Sequence, residues 1–145
     1  MKNIIKETRK YWDNGYNCSQ STARGILDTY GYKKQSKVLG KALIPFGGGI
    51  GERSVCGAVT GSLAALSIIL VKKNIEDEKK SEMFRKFKDL FIEKNGALYC
   101  KEILRDFILP DGTLDKDHPA RRPKCDHAID TAVLIVDDLI KNSKN

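Results

Sequence analysis

A chain of 145 residues can build one core without covalent staples, since a domain of that size buries roughly two-thirds of its unfolded surface on folding. Apolar residues at 41% and charged residues at 31% exclude a disordered, collagen-like or low-complexity chain. The net charge of +7 is N-terminal in origin, residues 1–53 carrying +6, residues 54–105 +3 and residues 106–145 −2. Its lysines are single or paired and lack interleaved aromatics, so a solvated surface is expected and no specific nucleic-acid partner.

Apolar residues recur at three and four along most of the chain, which predicts helices. The first carries Ile4, Ile5, Thr8, Tyr11 and Trp12 and stops at Asn14-Gly15. A second follows Asn17, a good N-cap, and runs through Thr22, Ala23, Ile26, Leu27 and Tyr30 to Gly31. Val38, Leu39, Ala42 and Leu43 form a short third stripe ended by Pro45.

Residues 46–53 read as a flexible glycine loop feeding a fourth helix over about residues 54–71. That helix is apolar nearly all round and is expected at the centre. It is slightly short for a membrane span and holds Thr60, Ser62, Ser67 and two glycines, so no membrane partner is expected. Gly57 and Gly61 lie four apart on one face, where another backbone can approach.

Beyond the charged stretch 72–80, Met83, Phe84, Phe87, Leu90 and Phe91 mark a fifth helix ended by Asn95-Gly96. Ala97, Cys100, Leu104 and Phe107 mark a short sixth one. Residues 108–124 read as loop, and a last helix from about Lys124 carries Ile129, Ala132, Val133, Val136 and Ile140 on one side. No stretch alternates as a strand and nothing repeats. The expected fold is all-α, a single-domain multi-helix bundle over residues 1–145 with residues 54–71 as its central apolar helix.

The four cysteines then stand out. The first residues lack a signal peptide's apolar run, so a reducing, cytoplasmic setting is expected, where cysteines more often react or ligate than form bridges. Helical spacing aligns Cys18 with Thr22 and Ile26, Cys56 with Val59 and Leu63, Cys100 with Ala97 and Leu104, and Cys125 with Ile129 and Ala132. All four face inward, in or beside the first turn of a predicted helix.

If neighbouring helices alternate in direction, the second, fourth and sixth start at one end of the bundle. The long 108–124 connection can return Cys125 to that end, so the four thiols are expected at one pole. Helix N-termini favour thiolates there. Gathered thiolates suit two roles: ligands of zinc or an iron–sulfur cluster, or pairs cycling between dithiol and disulfide.

The segment from Phe46 through Gly47, Gly48, Gly49 and Gly51 to Cys56, Gly57 and Gly61 resembles the signature of the C_GCAxxG_C_C family, named for its cysteines and for redox activity. Tyr16-Asn17-Cys18-Ser19-Gln20, Cys100 after Asn95-Gly96, and Cys125 match the family's other cysteines in order. The resemblance implies a cysteine-dependent redox or metal-linked role, as an oxidoreductase or an electron-transfer component, and names no substrate.

Gly47, Gly48, Gly49 and Gly51 precede a helix start and invite a cofactor-phosphate or anion cradle, yet the loop follows a helix and lacks a Rossmann fingerprint or a P-loop lysine. His127 is two residues beyond Cys125 and points away from it, while His118 in its loop is free to reach the pole as a metal ligand, although a surface position beside Pro119 is expected. No Cys-x-x-Cys is present, which excludes a thioredoxin-like site. The expected partners are a redox protein and a second copy of the chain. The rival reading is a non-catalytic helical interaction protein whose cysteines are only buried core residues.

Overall fold

A computed structural model describes residues 2–143, so Met1, Lys144 and Asn145 of the expected domain lie outside the described residues. Its α-helices are α1 (Ile4–Trp12), α2 (Cys18–Thr29), α3 (Lys33–Ala42), α4 (Gly57–Lys72), α5 (Asp77–Asn95), α6 (Cys100–Ile103) and α7 (Arg121–Lys141). They pack as a single all-α domain around one core, as expected.

The local signals act as read. Asn17 forms a reciprocal capping box with Gln20 at the start of α2, and Asn3, a cap the sequence reading does not include, accepts the Lys6 N–H at the start of α1. Gly96 ends α5 with a positive φ of 85°. The expected apolar helix α4 is buried along a broad face, from Ala58 and Val59 through Ala65 and Leu66 to Ile69 and Leu70.

α2 shares the centre, packing against α1, α3, α4 and α7. Its buried residues are largely small or polar: Ser19, Ser21, Thr22, Ala23, Gly25 and Asp28. Their hydroxyls turn back on the helix's own carbonyls or on a neighbour, as Thr22 does to the Cys18 carbonyl and Ser19 to Thr60. Mean hydropathy therefore understates how central α2 is. A Cβ on Gly57 would overlap Cys18 Sγ, and one on Gly61 would overlap the Ser19 carbonyl and Thr22 Oγ1, so this glycine pair does admit a neighbouring backbone.

Five expectations are corrected. α3 turns Ser36, Gly40 and Leu43 inward, with Leu39 half-buried, while Val38 (62% exposed) and Ala42 face outward. α4 begins at Gly57 instead of residue 54, because Ser54 and Val55 are non-helical, Val55 pairing with Tyr99, and Cys56 is the N-cap. Ahead of them Gly48, Gly49, Ile50, Gly51 and Arg53 all have positive φ, which a right-handed helix does not admit. Those positive-φ residues form an ordered left-handed turn, where the expectation was a flexible loop. Ser54 donates from both its N–H and its hydroxyl to the Gly49 carbonyl, closing it.

The sixth helix is shorter than its apolar stripe, since Tyr99 is extended and pairs with Val55 in an isolated antiparallel bridge. The last helix starts earlier than expected, at Arg121, and takes Pro123 into its first turn, where a missing N–H costs nothing.

α1 is locked to α7 by Arg9, which donates from Nε and Nη2 to the two oxygens of Asp130 at 3.0 and 2.8 Å. Both side chains are 29% exposed. Asp130→Ala is expected to cost about 1 kcal/mol, read as a lower urea midpoint with unchanged slope. An unchanged midpoint would assign the pair no net stabilising role.

A four-cysteine cavity as candidate functional site

Four chain segments with unrelated local conformations build the site. The Val55–Tyr99 bridge sets two strand-like links side by side: Cys56 N–H donates to the Leu98 carbonyl at 2.8 Å, and Cys100 N–H to the Ser54 carbonyl at 2.6 Å. This pairing carries Cys56, the N-cap of α4, and Cys100, the first residue of α6, to the same place. Cys18, the first residue of α2, arrives through the close α2–α4 packing, its Sγ lying over Gly57. Cys125 comes from α7 across the 108–120 connection, one turn inside its helix instead of at the start.

All four cysteines, with no disulfide among them, line one cavity of about 300 Å³. Cys56 and Cys100 are buried, and Cys18 and Cys125 half-buried. The expectation that they gather at one pole agrees with this placement, although the crossing loop and the 55–99 bridge accomplish it by a route that periodicity does not contain.

The walls are otherwise mostly apolar, with Trp12, Ile103, Leu104, Leu114 and Ile129 among them. Cations also reach the cavity: Arg53, Lys116 and Arg121. Arg121 Nη1 donates to Cys125 Sγ at 3.8 Å, an i, i+4 contact legible only once the helix is known to start at residue 121. Arg53 and Lys116 sit in irregular segments, and no spacing rule would have picked them out. Asn17, read as a cap alone, is a wall residue as well, and its amide holds the Leu43 and Ile44 carbonyls.

Of the four glycines considered for a cofactor, Gly47 and Gly48 line the cavity. Gly49 is buried against Ser54, and Gly51 stands at the exposed side of the turn. His118 packs tilted against Phe107, ring centroids 4.8 Å apart, and accepts the Ala120 N–H through Nδ1, so it is committed to the loop and lines no part of the cavity. His127 points away from Cys125, as expected, with Nε2 3.3 Å from the Lys94 carbonyl.

The expected lowering of thiol pKa by helix N-termini is overturned at Cys56, Cys100 and Cys125. Burial pushes the Cys56 thiol strongly up, with repulsion from a charge on Cys18 adding to it and the Ala58 N–H opposing. Burial pushes Cys100 up to about 11 against the opposing pull of Arg53, and raises Cys125 against Arg121. Desolvation of a thiolate outweighs the helix-end partial charge here: Cys56 meets the Ala58 N–H at the cap but is buried, and Cys125 is a turn away from the free N–H groups.

The donor set bears on what the cavity can hold. Among the described residues, no three Cys, His, Asp or Glu side chains are grouped as ligands of a single ion. The arrangement therefore does not fit mononuclear zinc, which draws its ligands onto one point. The four thiols instead line a cavity that also has the cations Arg53, Lys116 and Arg121 in its wall.

An all-α domain with four sequence-distant cysteines around one cavity defines a helical four-cysteine protein. The family comparison agrees over most of the chain: residues 16–139 match the C_GCAxxG_C_C model, described as “Putative redox-active protein (C_GCAxxG_C_C)”, and the chain belongs to that family. No curated protein and no solved structure matches it. Among the described residues, no helix is long and apolar enough to cross a membrane.

Proposed function

We propose that this chain is an electron-transfer protein of the cytoplasm whose four cysteines act as one redox centre, holding an iron–sulfur cluster in their shared cavity. The observation that carries this reading is the common cavity itself, walled by Cys18, Cys56, Cys100 and Cys125 together with Arg53 and Arg121. When bound, such a group supplies one-electron transfer with its potential set by charge, hydrogen bonds and burial.

The chain's own residues do the rest. The four cysteines would hold the cluster as thiolates, and the elevated pKa values of Cys56, Cys100 and Cys125 make loading release protons and favour higher pH. Arg53 and Arg121 offset the negative charge of thiolate ligation. The apolar wall of Ile103, Leu104 and Leu114 limits water. Free thiols throughout are in keeping with a reducing compartment.

A second reading has its own observation, the seating of Cys18 Sγ on Gly57 next to Cys56. In it, Cys18 and Cys56 form a disulfide. Their two protons and two electrons pass to a protein disulfide, which leaves as a dithiol.

Anaerobic purification followed by an absorption spectrum, iron and sulfide analysis, and thiol counts with and without denaturant separates the two. Visible absorbance with iron and sulfide, lost in Cys56→Ser and Cys100→Ser, is the expected result. Colourless protein that forms a Cys18–Cys56 bridge on mild oxidation would establish the second reading. Metal-free protein with four thiols unreactive until denatured would sink both and leave a structural interaction protein.

A further inference from the structure

The stretch between Asp28 and Glu52 contains no acidic residue and four lysines, all on α3. Lys34, Lys37 and Lys41 recur at three and four along its outer side, opposite the stripe that packs on α2, and all are exposed. Lys33 reaches Asp28 at 3.7 Å, whereas Lys34, Lys37 and Lys41 make no ion pair among the described residues. Val38 is 62% exposed within the same stripe, and Ile44 directly beyond it is 64% exposed.

This surface runs into the cysteine cavity. The Asn17 amide pins the Leu43 and Ile44 carbonyls, and the chain then passes through Gly47 and Gly48, which form part of the cavity wall with backbone alone. On the far side of those glycines stands Ile50. It is a β-branched residue at φ 61° and ψ 31°, a left-handed conformation that is costly for an L-residue. Its side chain is 51% exposed, so burial within the chain offsets little of that cost. Ile44 and Ile50 thus bracket the thin part of the wall.

We propose that the outer face of α3, with Ile44 and Ile50, is the docking surface for an acidic protein electron carrier, which it seats against the Gly47–Gly48 wall. The inference rests on the redox reading above. Charge complementarity selects the occupant. A second copy of this chain, itself at +7, would bring like charge to the lysine stripe. Nucleic acid is less suited, because the face offers no arginine or aromatic to stack on bases, and a bilayer is less suited because the apolar stripe of α3 is spent on α2. Lysines around exposed aliphatics match a protein interface with an apolar centre and a charged rim.

The test is calorimetric titration of the whole protein, as purified anaerobically, with an acidic [2Fe–2S] ferredoxin at low and high salt. Binding is expected at low salt and to weaken by about tenfold or more with salt and in Lys34→Glu/Lys37→Glu/Lys41→Glu. Val38→Ser/Ile44→Ser/Ile50→Ser should weaken it at both salts, with far-ultraviolet dichroism unchanged in both triple variants. No binding by the unsubstituted protein, binding indifferent to the lysine reversal, or equally tight binding of duplex DNA or phosphatidylserine vesicles by the same lysines would overturn the proposal. Reduction by dithionite is followed in parallel. A protein that dithionite cannot reduce counts against the redox centre, while the titration still decides the surface.

Discussion

Gly61→Val is expected to destabilise the protein by about 3 kcal/mol or more, toward the upper end of what overpacking a core costs. The new Cβ would land on the Ser19 carbonyl and Thr22 Oγ1 of α2, both fixed in the helix, so neither can swing away as a flexible side-chain tip would. Relief requires α2 and α4 to separate, and α2 also carries the contacts to α1, α3 and α7. Against a typical total of about 5–15 kcal/mol, that loss threatens folding at physiological temperature. Urea unfolding followed by dichroism reads it. A midpoint within error of the unsubstituted protein would mean that the α2–α4 approach is adjustable. Gly57→Ala at the same interface supplies a milder contrast, since there the new Cβ meets the Cys18 side chain, and its main effect should fall on Cys18 and the redox centre.

Stability of the reduced, metal-free protein is expected to fall as pH rises above about 9. Burial holds the Cys56, Cys100 and Cys125 thiols above their ordinary value of 9.0, with Cys100 pushed up to about 11. In that range the unfolded chain releases thiol protons that the native state keeps, so each rise in pH favours unfolding. The stability from retained protons is complete below about pH 9 and is lost progressively as pH climbs through 11. Cys100 alone accounts for something on the order of 2 kcal/mol. Tyr11 and Tyr30, raised by burial and by their bonds to Asp28 and Asp137, add a second decline that begins only above about pH 10, where free tyrosine ionises. Urea midpoints at stepped pH under anaerobic reducing conditions give the slope. Cys100→Ala should flatten it between pH 9 and 11, and an identical slope in that variant would place the effect elsewhere.

The two expectations share a cause. Close helix packing both brings the thiols together and removes most of their surface from water, so the property that makes a shared centre feasible also holds the protons on Cys56, Cys100 and Cys125. Ligation or oxidation then has to expel protons, which ties the centre's assembly to pH and to the cations in its wall. Arg121, bonded to Cys125, and Arg53, opposing the rise at Cys100, are the groups that ease that step.

Periodicity and capping residues by themselves determined the helical class, the caps at Asn17 and Gly96, the close approach at Gly57 and Gly61, and the inward direction of each cysteine, because these depend on neighbours three or four residues away. They misjudged α3, where Val38 and Ala42 fit an apolar stripe but Gly40 and Ser36 fit closer to α2. They also misjudged the centre, since α2 buries small and hydroxyl residues whose polarity is satisfied by its own carbonyls. What only the tertiary structure decided was how the cysteines meet. That rests on a bridge between Val55 and Tyr99, on the left-handed turn at residues 48–51, and on the cations Arg53 and Lys116, none of which has a local sequence period. Thiol ionisation belongs there too, because burial is set by every element packed around a group, and it reversed the sign expected from the helix ends alone.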